Sequence, residues 1–406
     1  MNSDWRNDLD DALQKRSADM VQLRRHMHMN PELSGAEQQT SLHLYQLLSN
    51  EFNHVRMGPD GRGVMVDVNA TDKEHLIALR ADIDALHIHD KKDTEYRSQC
   101  EGIMHACGHD VHSAIVFGAV SALHEMRKED KLPCEVSLRA IFQPAEETCQ
   151  GAQEMIAVGA LENVDAIIAT HVDPTREVGR VGVRSGVLTA NCDEMIISIM
   201  GKGGHAARPH ETSDSIAAAA SLINAFYLYI PRATDSQDAV VVTIGQIYGG
   251  DNSNVIPEEV QLRGTVRTLD RKIRRETFRH IKRLAKGIGD TSGTVITVEF
   301  GASAPSVRND AGVMSILQPS IESVVGPEAI DVIPRPSMGS EDFAFYLEKT
   351  PGAMFRLGCK SETIGGQSLH TPEFDVDERA ILIGARIMAR SVISWSLARQ
   401  ETEKRS

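Results

Sequence analysis

This 406-residue chain has no surplus of positive charge: 43 Lys and Arg stand against 57 Asp and Glu, a formal net charge of −14. With no Lys/Arg-rich tract to offset it, that balance repels a phosphate backbone and argues against a nucleic-acid binder. No apolar run approaches the roughly 18–20 residues of a membrane span. The polar, acidic start, Met1-Asn2-Ser3-Asp4-Trp5-Arg6-Asn7-Asp8, is unlike a secretory signal or an amphipathic transit peptide. The cysteines (Cys100, Cys107, Cys134, Cys149, Cys192, Cys359) lack paired spacing, which fits reduced thiols in a cytoplasm better than a disulfide framework. A cytoplasmic protein is the expectation. No low-complexity segment or repeat period stands out. Apolar content is not lacking: hydrophobic residues make up 41%, far more than a disordered chain carries. At roughly 100–200 residues per domain, the length suggests two or three domains.

Apolar periodicity then divides the chain. Residues 7–29, 36–52 and 112–127 read as helices. Three short apolar runs alternate with them: Leu76 to Leu79, ending at Arg80-Ala81-Asp82; Glu135 to Phe142, ending before Pro144-Ala145-Glu146-Glu147; and Val164 to Ala169, ending at Thr170-His171. Runs apolar on both faces are strands covered on both sides. Their polar clusters sit at the carboxyl ends, where open α/β sheets place ligands. Residues 188–301 differ. A strand at 195–200, a helix from Ser213 to Leu228, strands at 239–247 and 260–266, a helix capped by Asp270 and a strand through Ile296, Val298 and Phe300 follow the βαββαβ order of a ferredoxin-like unit. Strand (352–358) and helix (375–398) patterns return afterwards. An α/β protein of two domains is therefore expected, 1–187 and 302–406 forming one and 188–301 inserted within it.

Five of the sixteen histidines fall between 87 and 112, and the densest stretch is His105-Ala106-Cys107-Gly108-His109-Asp110-Val111-His112. Thiolate, imidazole and carboxylate together are a transition-metal donor set, and Gly108 would let the backbone bend so that Cys107 and His109 face one ion. The same stretch also fits surface histidines on a loop entering a helix. Glu146-Glu147 follows a buried strand; one carboxylate could ligate a metal while its neighbour reaches a water, or the pair could simply be solvated. His171 and His370 read individually as ligands or as ordinary polar histidines. Asp82 and Asp84 share one side of a strand end, where they could ligate, orient a ligand histidine or cap. The glycine-rich Gly201-Lys202-Gly203-Gly204-His205-Ala206-Ala207-Arg208-Pro209-His210 matches neither the P-loop nor the Rossmann spacing, which discounts nucleotide use and leaves a strand–helix turn. Nothing pairs Cys100, Cys134, Cys149, Cys192 or Cys359 with a base.

Eight blocks carry a resemblance. Arg80-Ala81-Asp82-Ile83-Asp84-Ala85-Leu86, Met104-His105-Ala106-Cys107-Gly108-His109-Asp110, Phe142-Gln143-Pro144-Ala145-Glu146-Glu147 and Gly203-Gly204-His205-Ala206-Ala207 come first. Asn254-Val255-Ile256-Pro257, Gly264-Thr265-Val266-Arg267-Thr268, Met338-Gly339-Ser340-Glu341-Asp342-Phe343 and Leu369-His370-Thr371-Pro372 follow. In this order they resemble the N-acyl-amino-acid amidohydrolase family, which includes hippurate hydrolases, bacterial aminoacylases and plant hydrolases of auxin–amino-acid conjugates. The family is related to carboxypeptidase G and aminoacylase. The resemblance implies a mixed-sheet, dinuclear metallopeptidase-like catalytic domain with an inserted α+β ferredoxin-like domain that dimerises and acts as a lid. It implies two divalent ions per subunit, bridged by Cys107 and completed by His109, Glu147, His171 and His370. Glu146 would be the general base, with Asp82 and Asp84 behind the ligands. His205 would reach into the partner's site and stabilise the oxyanion, and Asn254 and Arg267 would contact the substrate's carbonyl or α-carboxylate.

The implied reaction is hydrolysis of an N-acyl-L-amino acid to a carboxylate and a free amino acid. Two ions lower the pKa of a bridging water from about 15.7 towards 7, Glu146 takes its proton, and the amide carbonyl is attacked. Zinc or manganese heads the candidates, and the soft thiolate bridge also admits cobalt or nickel. The same site used as a dipeptidase or carboxypeptidase is the alternative. A catalytically dead metal-binding or regulatory protein is a reading of another class, against which the intact Glu146 and the full ligand set stand. Two departures concern the acyl-group preference. Where the family usually runs Asp-Ala-Leu-Pro-Ile, this chain has Asp84-Ala85-Leu86-His87-Ile88, and where glycines often follow Glu-Glu it has Thr148-Cys149-Gln150-Gly151. Neither touches an implied ligand.

Overall fold

The computed structural model describes residues 4–69 and 75–403; Met1, Asn2 and Ser3 of the polar start lie outside the described residues. Two compact units form. Residues up to Gly186, Arg308–Pro334 and residues from Asp342 onward make the first, and Val187–Val307 with Arg335–Glu341 make the second. The return of 335–341 to the second unit departs from the expected 302–406 segment, and hydrogen bonds explain it. Ser337 N–H donates to the Leu188 carbonyl and Ala190 N–H to that of Gly339, at 2.9 and 3.0 Å. Arg267 Nη1 donates to the Met338 carbonyl at 2.7 Å. Such a tether has no periodicity that a sequence could display.

The first unit is built on a mixed sheet of eight strands. Their spatial order is Val55–Met57, Val64–Val68, Ser137–Gln143, Leu76–Asp82, Val164–Glu177, Gly352–Lys360, Val181–Val183, Ile330–Val332. Ser137–Gln143, Leu76–Asp82, Val164–Glu177 and Gly352–Lys360 run parallel. Every residue of Leu76–Asp82 and Ser137–Gln143 is buried, as expected of strands covered on both faces. The helix His109–Lys128 is buried continuously from His109 to Leu123 and packs against Ser17–Met29 and Arg379–Glu403. Ile115, Phe117, Leu123, Ile393 and Trp395 belong to this core. Each large apolar side chain so buried contributes about 1.5–3 kcal/mol, which fixes the helix end that carries His109.

Several boundaries move. The periodicity over 7–29 is two helices, Trp5–Lys15 and Ser17–Met29, parted at Arg16. The helix expected from 112 starts at His109. The strand expected to end at Ala169 runs on to Glu177, so His171 lies inside it. The reading that no stretch reaches membrane length also needs correcting: Ser215–Ala233 and Arg379–Thr402 are long and apolar enough by length and composition. The second of these is mostly buried, with Val392, Ile393 and Trp395 in the core.

The second unit is a four-stranded antiparallel sheet in the order Val240–Tyr248, Glu259–Thr268, Asn191–Met200, Val295–Ala304. With the helices Ser215–Ala233 and Arg271–Ser292 between its strands, this is the ferredoxin-like arrangement. Asn191–Met200 alternates buried and partly buried residues, the period-two pattern of a sheet covered on one side. Met195, Ile197 and Ile199 meet Leu222, Phe226 and Ile281 in the core. Asp214 and Asp270 cap the two helices through backbone N–H groups of the first turn, each cap worth about 1 kcal/mol.

Candidate metal centre

The carboxyl ends of the parallel strands deliver the polar residues to one place. Leu76–Asp82 ends on Asp82, with Asp84 two residues on, and Ser137–Gln143 leads through Pro144 to Glu146 and Glu147. Gly108 holds φ +87°, and a Cβ there would fall 2.5 Å from Val172 Cγ2, so only glycine allows the turn between Cys107 and His109. Ala145 and His370 hold positive φ of 51° and 61°, strained backbone in the two loops that bring in Glu146-Glu147 and His370. The His370 loop is tied down by its N–H, which donates to the Ala106 carbonyl at 2.8 Å.

All five implied ligands and Glu146 meet. Cys107 Sγ lies 3.5 Å from His171 Nε2 and 3.3 Å from His370 Nε2. His370 Nε2 is 3.4 Å from Glu147 Oε1, and His109 Nε2 is 3.8 Å from both Glu146 Oε2 and Glu147 Oε1. Three overlapping triads result, Cys107/His109/His171, Cys107/Glu147/His370 and His109/Glu146/Glu147, each with its donor atoms within 4.8 Å of one another. His109 Nε2 and Glu147 Oε1 are buried and make no hydrogen bond. Buried polar atoms are rarely left so, and a cation would satisfy both. The soft thiolate, three imidazoles and a carboxylate suit a divalent transition ion.

Electrostatics agree. His109 Nδ1 is held by the Asp84 carbonyl and Oδ1, at 2.9 and 3.0 Å, which turns Nε2 towards the cluster. Burial opposes charge on His109, but the Asp82 and Asp84 carboxylates outweigh it and hold its pKa well above the ordinary value, so a cation bound at Nε2 would displace a proton there, as at Cys107. His171 Nδ1 lies 2.8 Å from the Val172 carbonyl, again leaving Nε2 for the cluster. Burial, then the charges of Arg356 and His112, push the His171 pKa well down, towards the neutral ring that a ligand needs. Burial and Glu147 raise the Cys107 thiol to about 12, so a cation bound there would displace its proton.

Four residues escaped the sequence reading as site residues. Arg80 donates to Asp82 Oδ2 at 2.6 Å, to Gln143 Oε1 at 2.9 Å and to Asp342 Oδ1 at 2.8 Å. The Asp342 N–H in turn donates to Glu146 Oε1 at 3.4 Å. His112 Nδ1 is 2.7 Å from Asp82 Oδ1, and its Nε2 accepts from the Val172 N–H at 2.9 Å. These contacts run from the strand end at Asp82 to the peptide beside His171. The available signals were weak: His112 is one helical turn beyond His109, and Arg80 shares a strand face with Asp82.

His205, Asn254 and Arg267 belong to the second unit. Gly204–His205 pairs antiparallel with Val255–Ile256, and the Ala206 N–H donates to the Asn254 carbonyl at 3.0 Å. The Ala207 N–H donates to His205 Nδ1 at 3.1 Å, which leaves Nε2 to carry the ring proton. Arg267 spends Nη1 on Met338, as described above.

The sequence profile of peptidase family M20/M25/M40 matches residues 78–394. The chain belongs to this family. A Synechocystis protein named as a hydrolase is 39% identical over 378 residues, 93% of this chain and 95% of the relative. N-acetyl-L-cysteine deacetylase of Bacillus subtilis is 36% identical over 363 residues, 89% of this chain and 85% of the relative. Among solved structures, a dinuclear metal-binding peptidase of the M20 family from Bacillus subtilis superposes with a TM-score of 0.81 at 31% identity, over 95% of this chain and 99% of that one. In the present M20 chain the matched span runs from before Asp82 to beyond His370 and so encloses the whole cluster.

Proposed function

We propose that this M20 chain is a metal-dependent amidohydrolase that cleaves N-acyl-L-amino acids to a carboxylate and a free amino acid. The observation that carries the reading is the meeting of Cys107, His109, Glu147, His171 and His370 around two buried donor atoms without hydrogen bonds, beside Glu146. The deacetylase name of the Bacillus subtilis relative supports the substrate class. Two divalent ions held by these five residues, zinc or manganese first and cobalt or nickel next, would supply Lewis acidity to the amide carbonyl and acidify the attacking water.

Glu146 is our general base, taking the proton of that water and returning it to the leaving amine. Its Oε1 accepts from the Asp342 N–H while Oε2 faces His109, which supports one fixed and one working oxygen. Asp84 and Asp82 orient His109 and, through His112, the peptide next to His171. His205, with its proton on Nε2, is our donor to the developing oxyanion, acting from the partner's inserted domain. Asn254 and Arg267 are our contacts to the substrate's carbonyl or α-carboxylate. Dimerisation through the inserted domain is supported by Val240–Tyr248, an edge strand with Val241, Ile247 and Tyr248 exposed, since an open edge invites strand pairing. Among the described residues no disulfide joins any of the six cysteines, in keeping with a reducing cytoplasm.

A panel of N-acetyl and N-benzoyl amino acids and dipeptides, assayed with and without chelator, tests the reading. Chelator-sensitive release of free amino acid from the acyl compounds is expected. Activity on dipeptides alone would overturn it in favour of a dipeptidase or carboxypeptidase, a second reading that the peptidase name of the structural relative favours. For the lid, mixing His205→Ala with Glu146→Ala protein should regenerate one working site per heterodimer; no recovery after confirmed subunit exchange counts against action in trans.

A further inference from the structure

Arg356 lies beside the cluster and has no part in the mechanism above. The strand Gly352–Lys360 sets it in parallel register with His171 on Val164–Glu177. Paired residues of adjacent strands stand on the same face of a sheet. Its neighbours Phe355 and Leu357 enter the apolar core, as Val172 does beside His171, so Arg356 and His171 share the opposite face. The side chain is partly buried and, among the described residues, makes no hydrogen bond and no ion pair. Other arginines of this unit are answered: Arg80 by Asp82 and Asp342, Arg176 by Asp173 and Asp331, Arg24 by Asp110 and Asp375.

An unanswered guanidinium next to residues that gather cations is electrostatically adverse unless an anion completes it. Taken with the proposed amidohydrolase function, on which this inference rests, the anion is supplied by the substrate. In that proposed function the α-carboxylate is assigned to Asn254 and Arg267. We propose that Arg356 binds a second substrate carboxylate through a bidentate pair, so that the preferred substrates are N-acyl amino acids carrying an additional carboxylate, on the amino-acid side chain or on the acyl group. The planar fork of arginine matches a carboxylate in a way a lysine cannot reproduce, and the pair would be charge-assisted.

Kinetics with isosteric pairs separate the possibilities. N-acetylglutamate is set against N-acetylglutamine, and N-succinylmethionine against the monoamide of its succinyl group, for the wild-type enzyme, Arg356→Leu and Arg356→Lys. The wild type should prefer the acidic member of one pair by about 10- to 100-fold in kcat/KM, the worth of a charged hydrogen-bonded pair, expressed in KM rather than kcat. The pair that shows the preference identifies the source of the carboxylate. Arg356→Leu should collapse that ratio towards one, and Arg356→Lys should restore part of it. The proposal is overturned if the wild type prefers neither acidic member or if the ratio survives in Arg356→Leu. It is also overturned if Arg356→Leu weakens acidic and neutral members equally, which would assign the arginine to the α-carboxylate or to the fold. Failure of the wild type on every N-acyl amino acid would instead defeat the amidohydrolase reading itself.

Discussion

Arg24, His28 and Asp110 are as deeply buried as Cys107, His109 and His171, and both sets bring charge into the same unit. In the first set the groups answer one another. Arg24 Nε is 3.0 Å from Asp110 Oδ2, its Nη2 is 2.7 Å from Asp375 Oδ1, and His28 Nδ1 is 2.7 Å from Asp110. The Tyr96 hydroxyl donates to Asp375 at 2.8 Å. In the second set His109 Nε2, like Oε1 of the neighbouring Glu147, is buried with no hydrogen bond. The sets are joined by the segment Cys107–Asp110, whose last residue is clamped by Arg24 while its first faces the cluster. Residue type does not separate them; closeness of pairing does: His28 Nε2, which also makes no hydrogen bond, lies 3.3 Å from Asp90 Oδ2, whereas His109 Nε2 meets no carboxylate closer than 3.8 Å. A closed cluster holds the loop, and an open one leaves donors for a ligand.

That contrast predicts different responses to mutation. The largest effect belongs to the open cluster: Glu146→Gln should lower kcat by about 10²- to 10⁴-fold with metal content near normal, measured by steady-state kinetics and metal analysis. Unchanged turnover removes Glu146 as the base. In the closed cluster, Arg24→Met strands the buried Asp110 carboxylate and should cost about 3–5 kcal/mol in denaturant unfolding. A loss under about 1 kcal/mol, the worth of an exposed pair, would deny the clamp its role. Between the two, His112→Phe removes the link from Asp82 to the Val172 peptide and should weaken metal affinity about 10- to 100-fold in competition with a chelator.

The smallest effect is with pH. Burial would raise the Asp110 pKa, but Arg24 and His28 outweigh it and hold the carboxyl well below its ordinary range. Because the folded pKa is depressed, this stabilisation is complete above the unfolded value of about 3.9 and fades as pH falls below it. The urea midpoint should therefore drop below about pH 4 in the wild type and drop less in Arg24→Met. Equal drops in the two proteins would place acid sensitivity elsewhere.

Much of this was legible in the chain. The donors stand in short, recognisable blocks, and strands apolar on both faces announce where their ends gather. The ferredoxin-like order was readable because its strands alternate and its helices carry an apolar stripe. What escaped depends on distance in space. Asp342 is far from Glu146 in sequence and meets it only through the fold. Arg356 stands in the apolar run Met354-Phe355-Arg356-Leu357, where its register with His171 cannot be seen. The strands Val55–Met57 and Val64–Val68 are too short to show a period, and the strand through His171 outlasts its apolar stretch because its final residues stay paired with Gly352–Lys360 as they leave the core for the surface.

Titration of Co²⁺ into metal-free protein, followed by absorption, tests most directly whether the open cluster is a two-ion site. Two ions per chain should bind, with a thiolate-to-cobalt band that Cys107→Ala abolishes. Binding of fewer than two ions, or a band that persists in Cys107→Ala, would contradict it.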